Sequence, residues 1–461
     1  MAKSDYLLDA ERVKVKLDSV SPNLCLAKWM QTSLHLTTGM TNSCYHPPLH
    51  KIDASAILKQ PNRLHNTDEK YHQRAEMLAG QRPSGCSYCW TMEDQGNISD
   101  RHYRSGEPWA AKHFDQIAVS NPTTPINPSY VEVNFSNICN FKCSYCSPQF
   151  SSAWAEDADR HGAWPTSNQH NDPVYFQGDR KPIHHREHNP YVEAFWSWWP
   201  ELYPTLEHFR MTGGEPILDH NTYRVLDYVK SNPKHDLHLA TTSNFCPGNE
   251  SLWNKYITSV KEICDTDAVE HFMQFVSLDA WGRRAEYIRN GLQFEDLERH
   301  VHEFLEQVDR RSSLTFIITY NNLSVTSIKN LLEWVLNLRK RYSKTYQRVW
   351  FDVPVLRQPA WQNINILPSS YHMLHQEVIN FVKDNLETTE DPYHGFKDFE
   401  LAKLERDLDY MRQVPNNVNE LRADFYRFFN EHDRRRNTDF LTTFPEMIQF
   451  WKECEYYAKT A

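Results

Sequence analysis

Glycine is scarce in this chain, with 13 residues among 461, and the motifs GxxxxGK[ST] and GxGxxG are both absent. The common nucleotide-binding loops are therefore excluded, because they need glycines that let the backbone approach a phosphate. No run of about 18 apolar residues occurs, so we expect no transmembrane helix. Residues 1–20 lack the apolar stretch of a signal peptide, which predicts a cytoplasmic location.

Positive charge is also limited, since 50 Lys and Arg residues stand against 60 Asp and Glu residues, a net charge of −10. A large basic face for duplex nucleic acid is not expected on such a chain, and neither nucleic acid nor a membrane is an expected partner. Hydrophobic residues make up 40% of the sequence, which is enough for a buried core and excludes a wholly disordered chain.

The order of apolar runs and helical segments divides the chain into three predicted domains. Residues 1–120 are polar, residues 121–368 alternate apolar runs with helical segments, and residues 369–461 have a helical pattern. Alternating strands and helices favour parallel βα units. The predicted fold class is therefore α/β, a partial (βα)6 TIM-type barrel with an N-terminal module and a C-terminal helical region. The six predicted strands are Tyr130–Phe135, His208–Met211, Leu237–Thr241, Phe272–Leu278, Leu314–Thr319 and Val349–Val355.

Residues capable of chemistry follow four of these strands directly. Cys139–Cys146 comes after the first, Gly213–Glu215 after the second, Ser243 and Asn244 after the third, and Asp279 after the fourth. In parallel barrels the functional residues lie at the carboxyl ends of the strands. We therefore expect these residues to form one site at the mouth of the barrel.

Seven of the ten cysteines lie in the first third of the chain. In a reducing compartment, closely spaced cysteines are more often metal ligands or catalysts than disulfides. Cys139, Cys143 and Cys146 can bind three irons of a [4Fe–4S] cluster and leave the fourth iron open to an exogenous ligand. A structural zinc site would need a fourth protein ligand and is the alternative.

The spacing of Cys139–Cys146, with a tyrosine before the last cysteine, resembles the signature of radical S-adenosylmethionine (radical SAM) enzymes. Three later segments resemble further motifs of that family in the same order. Thr212–Pro216 resembles its GGEP motif, and Thr242–Asn244 resembles the segment that holds the SAM ribose. Ser277–Ala280, followed by Glu286–Arg289, resembles the stretch whose arginine reaches the SAM carboxylate.

The resemblance, over about residues 126–360, implies that an open iron binds SAM and that the reduced cluster cleaves it to a 5′-deoxyadenosyl radical. It also implies that Glu215 meets the methionine amino group, that Arg289 pairs with the carboxylate and that Tyr145 packs against the adenine. Spacing identifies no catalytic acid or base. The implied cluster ligands and SAM-binding residues are Cys139, Cys143, Cys146, Tyr145, Gly213, Gly214, Glu215, Ser243, Asn244, Ser277, Asp279 and Arg289.

Four more cysteines precede the predicted barrel, in the pattern Cys25-x13-Gly39-x4-Cys44 followed by Cys86-x2-Cys89. A hairpin turning at Gly39 would bring Cys25 and Cys44 together, and the later pair would complete a four-thiolate site. This pattern resembles the twitch domain, the short form of the SPASM domain, which binds an auxiliary [4Fe–4S] cluster. Zinc, a cluster held by three of the thiols, and four unrelated buried cysteines are the alternatives.

The resemblance implies a radical SAM enzyme with an oxidative outcome on a peptide or protein. The same chemistry on a carbohydrate or other small metabolite, giving dehydrogenation or epimerisation, is an alternative. A non-catalytic zinc or iron–sulfur adaptor is another. A low-potential electron donor such as flavodoxin or ferredoxin is an implied partner.

Three other segments have a structural interpretation. Tyr191–Pro200 predicts a buried amphipathic helix, and Arg434–Arg436 predicts a solvent-exposed helix end. The connection over residues 151–190 is long for a loop in a compact domain. Five histidines of this connection, with Trp164, are candidates for a substrate lid, namely His161, His170, His184, His185 and His188. An ordinary polar surface loop is the alternative.

Overall fold

The structure is a computed structural model that describes residues 5–460. Its strands, in chain order, are β1 (Gln31–His35), β2 (Met40–Asn42), β3 (His50–Lys51), β4 (Tyr130–Asn134), β5 (Lys142–Cys143), β6 (His208–Thr212), β7 (Lys234–Ser243), β8 (Val269–Ser277), β9 (Arg289–Asn290), β10 (Ser312–Ile317) and β11 (Val349–Asp352). Its α-helices are α1 (Asp5–Asp18), α2 (Ala27–Met30), α3 (Ala54–Lys59), α4 (Asp68–Leu78), α5 (Ser87–Asp94), α6 (Asp100–Gly106), α7 (Pro108–Ala111), α8 (Phe114–Ala118), α9 (Ser152–His161), α10 (Pro190–Leu202), α11 (His220–Ser231), α12 (Glu250–Asp265), α13 (Arg283–Ile288), α14 (Phe294–Gln307), α15 (Ile328–Tyr342), α16 (Ser370–Asp384), α17 (Asp398–Met411), α18 (Val418–Arg436), α19 (Phe440–Thr443) and α20 (Ile448–Thr460).

All six predicted strands form, as β4, β6, β7, β8, β10 and β11. The pairs β4–β6, β8–β10 and β10–β11 are parallel, as the alternation of strands with helices predicts. The fold is therefore mixed α/β, with helices and predominantly parallel strands. Closure of these strands into a partial (βα)6 barrel stays a prediction.

The chain packs as two compact units, and the division falls within β7. The first, here called the N-terminal unit, comprises the residues up to Asn137 together with Lys181–Gly213 and Lys234–Ala240. The second, the C-terminal unit, comprises Ile138–Arg180, Gly214–Pro233 and the residues from Thr241 onwards. These units do not follow the three predicted domain boundaries, which remain a prediction.

In the N-terminal unit, β1 lies between β4, to which it is parallel, and β2, to which it is antiparallel. The β1–β2 hairpin confirms the predicted turn at Gly39, whose φ is +62°. A Cβ atom at Gly39 would lie 2.1 Å from Cζ of Tyr191, so both the backbone conformation and the packing require glycine. Helix α10 is the predicted amphipathic helix and buries Phe195 and Trp198.

In the C-terminal unit, β8, β10 and β11 form parallel pairs, and helices between them supply apolar faces. Helix α14 buries Leu297, Val301 and Phe304 on one face, at the i, i+4, i+7 spacing of an amphipathic helix. Helices α16 to α20 confirm the helical prediction for the last third of the C-terminal unit. No helix among residues 5–460 combines the length and the apolar character that a bilayer crossing requires.

The prediction of an exposed helix end at Arg434–Arg436 is wrong for two of its three residues. Arg435 and Arg436 have side chains that are 2% exposed, and both form ion pairs with Asp157 of α9. The connection that contains α9 is buried only in part, since residues 172–190 include no buried residue. Trp164 stacks on Phe428 of α18, with ring centroids 4.1 Å apart.

Candidate functional site

The Cys139–Cys146 loop is held in place along its length within the C-terminal unit. Ser151 Oγ, Trp154 Nε1 and Asn171 Nδ2 donate hydrogen bonds of 2.7–2.9 Å to three carbonyl oxygens of the loop. Strand β5, which lies inside the loop, pairs antiparallel with β9, so that Cys143 lies opposite Arg289. These contacts fix the loop backbone. Each thiol also has one hydrogen bond, since Cys139 Sγ accepts from the backbone N–H of Phe141, Cys143 Sγ accepts from Arg289, and Cys146 Sγ donates to the carbonyl oxygen of Ser147.

The three thiols of this loop influence one another electrostatically. Burial raises the pKa of each, and negative charge on Cys143 raises the pKa of Cys139 further and that of Cys146 to about 12. The guanidinium of Arg289 opposes this at Cys143, where Nη1 donates to Sγ at 3.6 Å. The raised pKa values keep these thiols protonated, so a metal that bound here would have to displace their protons. Burial raises the pKa of Cys246, Cys264 and Cys454 as well, so the shift does not by itself mark metal ligands.

The structure does not decide which group these thiols bind. Among the side chains that it describes, no three His, Cys, Asp or Glu residues converge in a way that could hold a metal ion. A zinc ion requires every thiolate within about 2.3 Å of one point, whereas an iron–sulfur cluster binds each thiolate at a separate iron. The choice between zinc and a cluster therefore stays a prediction.

Glu215 connects two of the segments that the sequence places at the site. Its Oε1 accepts a 2.6 Å hydrogen bond from Ser243 Oγ, and its Oε2 accepts one of 2.6 Å from the backbone N–H of Asn244. Asn244 Nδ2 in turn donates to Oδ1 of Asn140, inside the Cys139–Cys146 loop, at 2.9 Å. Burial raises the pKa of Glu215 to about 7, and these hydrogen bonds oppose the shift. Glu215 thus fixes the position of the turn after β7.

The glycines before Glu215 have a packing role of their own. Gly213, in the N-terminal unit, has a φ of +123°, and a Cβ there would lie 2.6 Å from Oδ1 of Asn134. Any side chain at this position would therefore collide with the end of β4. Gly214 continues the turn in the C-terminal unit. The contact with Asn134 and the positive φ are sufficient reasons for glycine at position 213, and neither involves a ligand. The predicted role of Gly213 and Gly214 in binding SAM stays a prediction.

Arg289, Asp279 and Tyr145 form one hydrogen-bonded group beside Cys143. Arg289 Nε lies 2.9 Å from Asp279 Oδ2, and Nη2 donates to Asp279 Oδ1 at 3.0 Å and to Tyr145 Oη at 2.5 Å. Tyr145 Oη donates to Asp279 Oδ2 at 2.8 Å. The sequence assigned Arg289 and Tyr145 to different parts of SAM, whereas here both bind Asp279. Ser277, at the end of β8, is half-buried and outside this group.

The four N-terminal cysteines line one cavity of about 30 Å³ in the N-terminal unit. This volume exceeds the ~10–15 Å³ that one water molecule requires, so the thiols border a space that can hold a small group. Burial raises the pKa of Cys25 to about 12, and the charges of the other three thiols contribute to this shift. We call this space the four-thiol cavity, defined by Cys25, Cys44, Cys86 and Cys89.

Cations near this cavity were not found from the sequence. Lys28 lines the cavity with the thiols and is 2% exposed, and Lys70 and Arg74 are fully buried. Lys28 interrupts the otherwise apolar run Leu24–Met30, which is a signal that the sequence offered. Lys70 and Arg74 stand in a polar helix, where charged residues are usually exposed, so the sequence offered no such signal for them.

The sequence matches no protein-family model, and comparison with curated proteins finds no similar sequence. Three solved chains are similar in structure. One is described as native anSMEcpe with bound AdoMet, with 14% sequence identity and a TM-score of 0.34. The similarity covers 54% of this chain and 58% of that chain, so this chain spans little more than half the length of that structure. A likeness of this size assigns neither a family nor an activity.

Proposed function

We propose that this protein is a radical SAM enzyme whose Cys139, Cys143 and Cys146 bind a [4Fe–4S] cluster with one iron open to SAM. One observation carries the proposal: segments more than 100 residues apart in sequence bond directly to the three-cysteine loop. Asn244 bonds to Asn140, and Arg289 bonds to Cys143. A structural metal loop would not need these particular segments beside it.

The bound cluster and SAM would supply a 5′-deoxyadenosyl radical that removes a hydrogen atom from the substrate. The residues of the chain position and shield these groups. Glu215 orders the Ser243–Asn244 turn, and the Arg289–Asp279 pair places a cation next to Cys143. For Arg289 to meet a SAM carboxylate, it would share its donors between that carboxylate and Asp279.

An oxidative outcome on a peptide or protein remains our preferred reaction. The convergence of all four N-terminal thiols on one cavity supports it. A cluster with four thiolates has no open iron, so it would exchange electrons and not bind substrate. The choice of a peptide no longer draws on Trp164 and His170 as lid residues, because Trp164 packs against Phe428 and His170 contacts the same ring. A carbohydrate or other small metabolite remains the alternative substrate.

The test is SAM cleavage by the anaerobically reconstituted protein. With iron, sulfide, SAM and dithionite, we expect 5′-deoxyadenosine in the wild type and none in Cys143→Ala. Cys454→Ala, which removes a buried thiol from α20 away from both sites, is the matched control and should retain cleavage. Undiminished cleavage by Cys143→Ala would overturn the proposal. An EPR spectrum of the wild type that does not change when SAM is added would favour the alternative of a non-catalytic zinc or iron–sulfur adaptor.

A further inference from the structure

Three cations are buried together in the N-terminal unit, and we call Lys28, Lys70 and Arg74 the buried cationic set. Each is at most 2% exposed. Among the side chains of residues 9–460, no carboxylate oxygen forms an ion pair with any of the three, and their hydrogen bonds go to other groups. The arrangement is unusual, because buried charges in proteins are nearly always paired or bound to an ion.

The hydrogen-bond acceptors of the buried cationic set are all neutral groups. Lys70 Nζ donates to Oγ1 of Thr32 at 2.7 Å and to Oγ1 of Thr41 at 3.2 Å. Arg74 Nη1 donates to Asn66 Oδ1 at 3.1 Å, and its Nε donates to the carbonyl oxygen of Lys28 at 3.2 Å. These partners satisfy the N–H groups but carry no negative charge. Burial therefore lowers the pKa of Lys70 well below its usual value and that of Arg74 to about 10.

Lys28 has a similar environment. Its Nζ donates to Oε1 of Gln73 at 2.5 Å, and Gln73 Nε2 donates to exposed Glu69. Gln73 therefore separates Lys28 from this carboxylate, which lies in solvent. His65 lies between the other two cations, with Nδ1 3.3 Å from Lys70 Nζ and Nε2 2.9 Å from Arg74 Nη2. Its lowered pKa, which burial and the two cations cause, keeps the ring neutral.

The negative charge that these cations lack would come from the four-thiol cavity. Lys28 lines that cavity, and its charge opposes the rise in pKa that burial causes at Cys25 and Cys44. At Lys70, negative charge on Cys44 opposes the lowering of the pKa that burial and the neighbouring cations cause. Lys28 and Lys70 are therefore electrostatically coupled to the thiols, and Arg74 adjoins Lys28 through its hydrogen bond to the carbonyl oxygen of that residue.

A zinc ion with four thiolates and an iron–sulfur cluster with four thiolates are both anionic, but they differ in one respect. The cluster takes up a further electron and its negative charge grows, whereas zinc has no redox chemistry. Fixed positive charge nearby stabilises the reduced cluster more than the oxidised one. A buried cationic set without carboxylates therefore favours electron uptake.

We propose that Lys28, Lys70 and Arg74 are the built-in counter-charge of an anionic iron–sulfur cluster in the four-thiol cavity, and that they raise its reduction potential. This inference rests on the auxiliary cluster of the proposed function and adds its electrochemical role. The half-reaction is the uptake of one electron by the oxidised cluster. In the reaction that electron comes from the substrate radical, and in the test it comes from dithionite.

The test uses the full chain with Cys139, Cys143 and Cys146 all changed to Ala, so that bound iron belongs to the four-thiol cavity. This background should hold about four irons per chain. Its midpoint potential is measured by an EPR-monitored dithionite titration. The variants added to it are Lys70→Met and Lys28→Met, which remove charge, and Arg74→Lys, which keeps it. Lys59→Met, on the surface of the same unit, is the matched control.

We expect each of the Lys70→Met and Lys28→Met changes to lower the equilibrium constant for reduction about tenfold, because a nearby charge is lost in a medium of low dielectric constant. For one electron this corresponds to a potential about 59 mV lower. Arg74→Lys and Lys59→Met should leave the potential unchanged. A second result would also support a counter-charge role. In it, Lys70→Met and Lys28→Met both lose iron, while their iron-free forms are at least as stable to unfolding as the iron-free background protein.

Potentials in Lys70→Met and Lys28→Met equal to that of Lys59→Met, at full iron content, would overturn the inference. The inference would also be overturned if the background protein without the three loop cysteines bound no iron. It would be overturned too if Lys70→Met and Lys28→Met lost their iron and their iron-free forms were less stable to unfolding than the iron-free background protein. Failure of the proposed function is distinguishable, because it appears as a wild type that holds iron but does not cleave SAM. The potentials measured in the four-thiol cavity would be unaffected by that result.

Discussion

Nε of Arg289 lies 2.9 Å from Oδ2 of Asp279, and these two side chains form an ion pair that is nearly closed to solvent, with exposures of 7% and 0%. The pair connects β9 with the end of β8 and directs Nη1 of Arg289 at the thiol of Cys143. Asp279 also accepts from the backbone N–H of Thr319, so the pair links three successive segments of the C-terminal unit. Arg289, which the family resemblance assigns to the SAM carboxylate, thus already has a carboxylate partner within the protein.

Asp279→Asn should destabilise the protein strongly, since it leaves the guanidinium of Arg289 buried without its counter-charge. Breaking one partner of a buried pair typically costs about 3–5 kcal/mol of unfolding free energy. The measurement is denaturant unfolding of the apo protein. Asp409→Asn, at an exposed pair with Arg412, is the control and should cost less than ~1 kcal/mol. Equal losses in both variants would contradict the role given to the buried pair.

Glu215 should make stability depend on pH in the direction opposite to that of an ordinary carboxylate. Its folded pKa, about 7, lies above the reference value of 4.5, because burial disfavours the charged form. Its contribution is therefore fully present below about pH 4.5 and is lost as pH rises through about 7. Relative to Glu215→Gln, the apo wild type should lose on the order of 3 kcal/mol between pH 5 and 8.

Urea unfolding of both proteins across that pH range measures the difference. Glu286→Gln serves as the control, since Glu286 is a half-buried residue of α13 that accepts a hydrogen bond from the backbone N–H of Phe294. A gap between the wild type and Glu215→Gln that stays constant with pH would contradict the prediction.

Gly39→Ala should disrupt the β1–β2 hairpin, which lies between Cys25 and Cys44 in the chain. The added Cβ would lie 2.1 Å from the ring of Tyr191, on a backbone with φ of +62°. Gly80→Ala is the matched control, because Gly80 has a similar φ of +74° with no atom within 4 Å of the added Cβ. The control should lose about 1 kcal/mol from backbone strain, whereas Gly39→Ala should lose more and bind less iron.

Iron analysis of the background without the three loop cysteines separates these effects. In that background Gly80→Ala should retain its iron and Gly39→Ala should not. Retention of full iron content by Gly39→Ala would mean that the hairpin geometry is not needed to bring the four thiols together.

The strands and the hairpin were predictable because local sequence determines them. The six apolar runs are bounded by turn residues, and Gly39 marks the reversal between β1 and β2. The neighbour of β1 on its other side was not predictable. That neighbour is β4, whose Tyr130 pairs with Gln31 from 99 positions further along the chain. Strand pairing over such a separation depends on the whole fold and leaves no local pattern.

Grouping of the site residues was predictable for a similar reason, but their partners were not. Placement at strand ends brings Glu215 near Ser243. Arg289 lies opposite Cys143 through the antiparallel pair of β5 and β9, which placement at strand ends does not predict. The sequence does not reveal that Glu215 uses both oxygens internally or that Arg289 binds Asp279. Such partners are set by side-chain directions, which residue spacing along the chain does not encode.

The run Arg434–Arg436 offers a test in which three adjacent arginines differ only in their surroundings. Arg434 is 65% exposed and bonds to Glu431, whereas Arg435 and Arg436 are 2% exposed and pair with Asp157. Arg434→Met should leave the free energy of unfolding almost unchanged, because its side chain is exposed. Arg435→Met should cost about 2 kcal/mol, because Asp157 loses one of its two arginine partners and Trp164 loses the cation 4.2 Å above its ring. Denaturant unfolding of the two variants measures the contrast. Similar losses of unfolding free energy in both would mean that the buried arginines do not hold α9 against α18.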